Sequence, residues 1–258
     1  MSLKTLLEAG CHFGHKTDRW HPKAASFIYQ AREGIHIIDL AKTKKGLENA
    51  AEFLRNAALR GEGIVFVGTK RQSKSVVKEE ATRVGAPFLT ERWVGGFLTN
   101  WEGIHKNLEK IRRMEEEKAT DAWKKFPKHE QLKLDRHLIR LKTMYGGVVS
   151  LYNQPTVVVL ADIRKEKLAV HEAQSCNATV IAIVDTNCDP SLVTYPIPAN
   201  DDAVGSVKCL IHYLADAYAE GMTLAQKEKD EKAVATKETV APEGEVKKKE
   251  KKNGSDKN

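Results

Sequence analysis

Cysteine is scarce in this chain. The four present among 258 residues, Cys11, Cys176, Cys188 and Cys209, stand far apart. No two share the spacing of a disulfide framework, which points to a reducing cytoplasm. Long apolar runs are missing too. The N-terminal segment Met1–Gly10 has no signal-peptide core. The most apolar windows, 64–68 and 156–161, are strand-sized and far too short to span a bilayer. A membrane partner is therefore not expected. Acidic residues are outnumbered by basic ones, 35 to 42, for a formal charge of +7 and a pI near 9.1. Residues 223–258 contribute only two of those charges, so the excess belongs mainly to the body of the chain. An excess of that sign points to a polyanionic partner.

What is present alternates between apolar runs and helical patterns. Phe27–Tyr29 and Ile35–Ile38 flank Arg32-Glu33-Gly34 and read as a hairpin. Asp39 or Thr43 caps a helix through about Arg60. Ile64–Val67, Thr156–Ala161 and Thr179–Val184 lack polar alternation and read as strands buried on both faces. Helices over about 73–84, 165–176 and 200–220 separate them or follow, the last one ending at Gly221. Tyr195–Pro198 is a strand edge at best, because two prolines remove ladder donors. This order predicts an α/β fold with a doubly wound, mostly parallel sheet. Residues 102–145 hold no strand candidate. Ile104, Leu108, Ile111 and Met114 form one apolar stripe, and Leu134, Leu138, Leu141 and Tyr145 another. They predict an antiparallel coiled-coil hairpin inserted between the sheet segments 1–101 and 146–222. The tail, 223–258, is expected to be disordered.

Three clusters carry the chemistry. The run Glu91–Trp101 holds Arg92, Trp93, Gly95, Gly96, Asn100 and Trp101, without a nucleophile or an acid/base pair. Indoles offer stacking faces, arginine a fork for phosphate oxygens, and adjacent glycines allow close backbone approach. The second run, Cys11–Lys23, holds His15, Lys16, Arg19, Trp20, His21 and Lys23. The third, Gly68–Gln72, places Lys70 and Arg71 between a strand and a helix, where a phosphate could sit. Neither G-x-G-x-x-G nor G-x-x-x-x-G-K-[ST] can be written onto that loop. Arg112 and Arg113 on the helical hairpin extend the cationic set. All these residues are read as candidate RNA contacts.

Two other readings compete. Asp162, Asp185 and Asp189 follow strands, as carboxylates of a metal-dependent phosphoesterase would, though a self-bonded turn at Asp185–Asp189 accounts for them more simply. Cys11, His12 and His15 are metal-ligand candidates, but their spacing matches no standard finger. No metal, cofactor or small-molecule substrate is expected.

Taken together, the residues carry a resemblance. Ala9-Gly10-Cys11-His12-Phe13-Gly14-His15, Trp20-His21-Pro22-Lys23, Phe66-Val67-Gly68-Thr69-Lys70, Arg92-Trp93-Val94-Gly95-Gly96, Ile183-Val184-Asp185-Thr186-Asn187 and Ile197-Pro198-Ala199-Asn200-Asp201-Asp202-Ala203 resemble, in order, the bacterial S-two family of small-subunit ribosomal proteins. The resemblance covers about residues 3–221 and departs from the family pattern at Asp18, His21, Ala199 and Gly205. It implies a flavodoxin-like domain with a protruding helical hairpin, on the cytoplasmic ribosome. It also implies binding to small-subunit ribosomal RNA, contact with neighbouring small-subunit proteins, and help in recruiting ribosomal protein one.

Overall fold

Three strands made of unbroken apolar runs form the centre of the sheet. In the computed structural model, which describes residues 1–238, they are β4 (Ile64–Val67), β6 (Val157–Leu160) and β7 (Thr179–Val184). β5 (Phe88–Leu89) and β8 (Tyr195–Pro198) flank them, and all five run parallel in the order β5-β4-β6-β7-β8. Numbered within the sheet this is 2-1-3-4-5, a doubly wound order whose switch point lies between β4 and β6. The two prolines of β8 are tolerated because that strand has one neighbour.

Alternate residues of each strand feed two cores, as a period of two requires. Ile64, Phe66, Val157, Val159, Ile181, Ile183 and Ile197 pack against α2 (Leu40–Leu59), α3 (Arg71–Val84) and α7 (Val204–Glu238). Val65, Val67, Val158, Leu160, Val180, Ala182 and Val184 face α6 (Lys167–Ser175), the segment 93–98, and the apolar stripes of α4 (Trp101–Ala119) and α5 (Lys128–Tyr145). Asp39 caps α2, accepting the Ala41 N–H at 2.9 Å. α4 and α5 are bridged by Lys118–Asp135 at 2.6 Å and Lys142–Glu115 at 2.5 Å, pairs that run in opposite chain directions. Trp123 is buried in the connection between them, donating to Glu117.

A second, antiparallel sheet precedes all this, made of β1 (Phe13–Lys16), β2 (Ile28–Arg32) and β3 (Ile35–Ile38) in the order β1-β3-β2. It follows the short helix α1 (Leu3–Glu8). β2 and β3 make the expected hairpin, turning through Glu33 and Gly34 at φ of 52° and 76°. β1 was not expected. Its residues alternate poorly, and its register shifts against β3, so the sequence carries no strand signal there.

The last helix corrects the expected boundary. It does not stop at Gly221 but continues to Glu238, so residues 223–238 are helical. The expectation of disorder for 239–258 lies outside the described residues. Gly221 serves close packing: a Cβ there would lie 2.3 Å from the Arg55 carbonyl of α2. The two readings differ in sign. In an ordinary helix interior Gly→Ala stabilises by about 0.5–1 kcal/mol. Gly221→Ala should instead lower the urea midpoint, because α2 and α7 must move apart. A raised midpoint would refute the close-packing role.

Candidate nucleic-acid interface

The Glu91–Trp101 run does cradle an anion, and the anion is internal. The carboxylate of Glu172, on α6, is 4% exposed. It accepts from Trp93 Nε1 at 3.1 Å, Gly96 N–H at 2.8 Å, Leu98 N–H at 3.0 Å and Thr99 N–H at 3.5 Å. Gly96, at φ 84°, bends the backbone so that the Gly96, Leu98 and Thr99 amides converge on it, while the Phe97 N–H donates to the Val94 carbonyl. Trp93 is 5% exposed and packs edge-on against Phe97 at 5.1 Å. The expectation that Trp93 stacks on RNA is therefore corrected: its ring is core and its N–H is spent on Glu172. Trp101 is half-buried, edge-on to Phe97 at 5.8 Å. Arg92 and Asn100 are exposed.

Lys70 also turns inward. Its ammonium lies 3.3 Å from Asp162, 3.1 Å from Asp201 and 2.6 Å from Asp202, at the carboxyl edge of the sheet. Burial disfavours its charge, but the bond to Asp202 and the charges of Asp201 and Asp162 outweigh that and raise its pKa. Lys70 is thus the counter-ion of an acidic cluster, with Asp162 and Asp201 buried and Asp202 at the surface, and its ammonium is committed to these carboxylates, contrary to expectation. Asp201, 2% exposed, is pushed up to about 7 by burial and by Asp162 and Asp185, against the pull of Lys70. His15 joins the cluster, with Nδ1 3.1 Å from Asp185 and Nε2 3.4 Å from Asp202. The hydrogen bond to Asp185 raises its pKa. Glu166, also buried, accepts from the Thr69 N–H at 3.2 Å and from the Thr69 hydroxyl.

His15, Asp185 and Asp201 have donor atoms within 4.8 Å of one another, the metal-ligand spacing found among the described residues. Neither Cys11 nor His12 shares it. Cys11 is sealed in the core, and the His12 ring lies 4.0 Å from that of Phe13. Asp185 and Asp189 bond their own turns: Asp185 accepts from the Thr186 N–H, and Asp189 from Ser191. Asp189 also accepts from Lys23 at 2.6 Å, and that bond with those from Ser191 brings its pKa down to about 2. Lys23 is thereby partly committed. His21 caps the 3-10 turn that follows it, accepting the Lys23 N–H. Arg112 is committed as well, donating to the Val149 and Leu151 carbonyls and covering the Tyr152 ring at 4.1 Å. Arg113 is exposed, 3.8 Å from Glu117.

What remains is a rim. Lys16, Arg19, Arg71 and Arg92 are exposed and form no ion pair with any described residue. Arg164 and Lys165, in the turn after β6, and Lys167, at the start of α6, join them, and sequence reading passed over all three. The signal for these three was present: the cation-rich run Arg164-Lys165-Glu166-Lys167 shortly after a buried strand. Of the aromatics expected at the interface Trp20 is exposed, and two that were not expected there are exposed as well. Trp20 is 40% exposed, 5.5 Å from the His36 ring, and Phe13 and Tyr29 are 48% and 72% exposed on the antiparallel sheet.

A model of the family described as "Ribosomal protein S2" matches residues 6–221. The chain belongs to the ribosomal protein S2 family. Among its relatives are the small ribosomal subunit protein uS2 of Microcystis aeruginosa, 47% identical over 86% of this chain and 83% of that protein, and that of Dictyoglomus thermophilum, 45% identical over 88% and 93%. The uS2 of Synechocystis is 45% identical over 86% and 82%. Membership makes the chain a structural protein of the small ribosomal subunit, resident on the cytoplasmic ribosome, and not an enzyme. The phosphoesterase considered for Asp162, Asp185 and Asp189 finds no support in the S2 family. No helix among the described residues is long and apolar enough to cross a membrane.

Two measurements check these geometries. Glu172→Gln leaves converging N–H groups facing an amide with one acceptor oxygen. It should cost about 3 kcal/mol or more, read as a lower urea midpoint at unchanged m-value. An unchanged midpoint would remove Glu172 as the organiser of the loop. The second concerns pH. The folded protein holds the Asp201 proton more tightly than the unfolded chain, where the ordinary value is 3.8, so stability falls as pH rises from there through about 7. His15, also raised, adds stability below its ordinary value of 6.5 that is lost as pH passes its folded value. Tm should fall between about pH 5 and about pH 8, and Asp201→Asn should make that slope shallower. Parallel profiles for the two proteins would show that Asp201 does not titrate as argued.

Proposed function

We propose that this S2 protein binds small-subunit ribosomal RNA through the cationic rim at the carboxyl edge of its parallel sheet. The observation that carries the reading is the set of seven exposed cations, Lys16, Arg19, Arg71, Arg92, Arg164, Lys165 and Lys167, none in an ion pair with a described residue. The buried carboxylates Asp162, Asp185 and Asp201 are occupied with Lys70, His15 and backbone donors and do not draw on these cations. Affinity comes from phosphate contacts, which are salt-dependent. Stacking on unpaired bases is assigned to Trp20, exposed against His36, in place of Trp93.

The helical pair α4–α5 is read as a coiled-coil hairpin, a unit inserted between sheet segments 1–101 and 146–222. Its apolar seam and the ion pairs Lys118–Asp135 and Lys142–Glu115 support that reading. Leu132 and Ile139, 55% and 62% exposed on α5, suit contact with neighbouring small-subunit proteins. The family resemblance supports a role in recruiting ribosomal protein one. Occupancy of that protein on small subunits assembled with and without this chain tests it, and equal occupancy rejects it.

The rim is tested by salt titration. Neutralising even six phosphates should make binding to small-subunit RNA fall about a thousandfold or more between low and moderate salt. Arg71→Ala with Arg92→Ala should reduce the slope of log K against log salt by about two, at unchanged Tm. A slope equal to wild type takes both residues out of the interface.

A further inference from the structure

Two thiols that the interface does not use meet where the N-terminal loop rests on α7. The loop is clamped there by its backbone. The Asn200 N–H donates to the Cys11 carbonyl at 3.1 Å, and the Asn200 side chain donates to the Gly10 carbonyl at 3.3 Å. A Cβ on Gly205 would lie 3.1 Å from the Ala9 carbonyl. Gly205 and Cys209 are one helical turn apart and share a face of α7. Cys11 is fully buried against that face, in the core on which the Cys209 side chain also packs. Cys209 is only partly buried, with its sulfur 3.7 Å from that of Met1.

The environment divides the labour between the two. The S–H of Cys11 lowers the Cys209 pKa to about 7, against burial and with help from His212 and the N-terminal ammonium. The same interaction and burial push Cys11 upward. A thiolate with partial access beside a protonated, sealed thiol is the arrangement of an attacking and a resolving cysteine. Cys188 is buried and pushed up to about 12, mainly by burial, and Cys176 stands apart on the end of α6.

We propose that Cys11 and Cys209 are a reversible disulfide site that staples the N-terminal loop to α7. The oxidant is a small-molecule disulfide of the glutathione class. The Cys209 thiolate attacks one sulfur of that disulfide. Its S–S bond breaks, and one thiolate leaves, taking up a proton. Cys11 gives its proton to solvent and attacks the Cys209 sulfur of the mixed disulfide, expelling the second small thiolate, which is protonated in turn. The protein thereby loses two electrons and two protons, and the oxidant becomes two thiols. The bond closes nearly the whole folded domain into one loop, which constrains the unfolded chain strongly.

The test uses the full, reduced chain with oxidised glutathione near neutral pH, followed by alkylation of the remaining thiols and peptide mapping. The expected product links the Cys11 and Cys209 peptides with the loss of two hydrogens, leaves Cys176 and Cys188 alkylated, and reverts with dithiothreitol. Cys11→Ser should instead accumulate a glutathione adduct on Cys209. Failure to find the cross-link in the wild-type chain overturns the proposal, whether the thiols stay unreacted or Cys209 keeps a stable adduct. A link from Cys209 to any cysteine other than Cys11 overturns it equally.

Discussion

The ammonium of Lys70 holds the carboxyl edge of the sheet together. It meets Asp162 after β6 and Asp201 and Asp202 at the start of α7, while its own backbone follows β4. Three separate chain segments therefore end on one charge. Several carboxylates packed this closely could not all be ionised without a cation among them, and removing one member of a buried ionic group is far more costly than never having had it. With the interior balanced in this way, the neighbouring cations are left to solvent. Lys16, Arg19, Arg71, Arg92 and the residues Arg164, Lys165 and Lys167 stand exposed on four chain segments. An array set on rigid elements loses little freedom when it meets a structured polyanion.

Much of the fold was legible in the sequence. Unbroken apolar runs identified β4, β6 and β7, because a strand covered on both faces needs apolar residues at every position. Asp39, one of the two caps the sequence offers with Thr43, starts α2, and the two stripes of α4 and α5 appeared where the core receives them. Local chemistry decided these features. β1 was missed because its pairing with β3 depends on segments that show no alternation of their own. Gly221 was misread because a glycine inside α7 looks like a terminator until α2 is seen lying on it.

The candidate site was half legible, and the errors share one cause. Trp93, Lys70 and Arg112 have the side chains an RNA contact needs. They are also the side chains that satisfy buried carboxylates and carbonyls. Their partners Glu172, Asp201 and Val149 lie 79, 131 and 37 residues away. No local pattern distinguishes a donor reserved for the interior from one offered to a ligand. Arg71 and Arg92 are exposed, although each adjoins in sequence a side chain spent on an interior carboxylate, Lys70 and Trp93.

The Glu172 cradle has a consequence for how the molecule is made. Its donors lie 73 to 79 residues ahead of the carboxylate they surround. A chain emerging N-terminus first exposes the looped amides, and all of α4 and α5, before α6 exists to receive them. Until then those N–H groups face water and the loop has no reason to hold its bend. The helical pair is therefore anchored late, from behind, by an element synthesised after it.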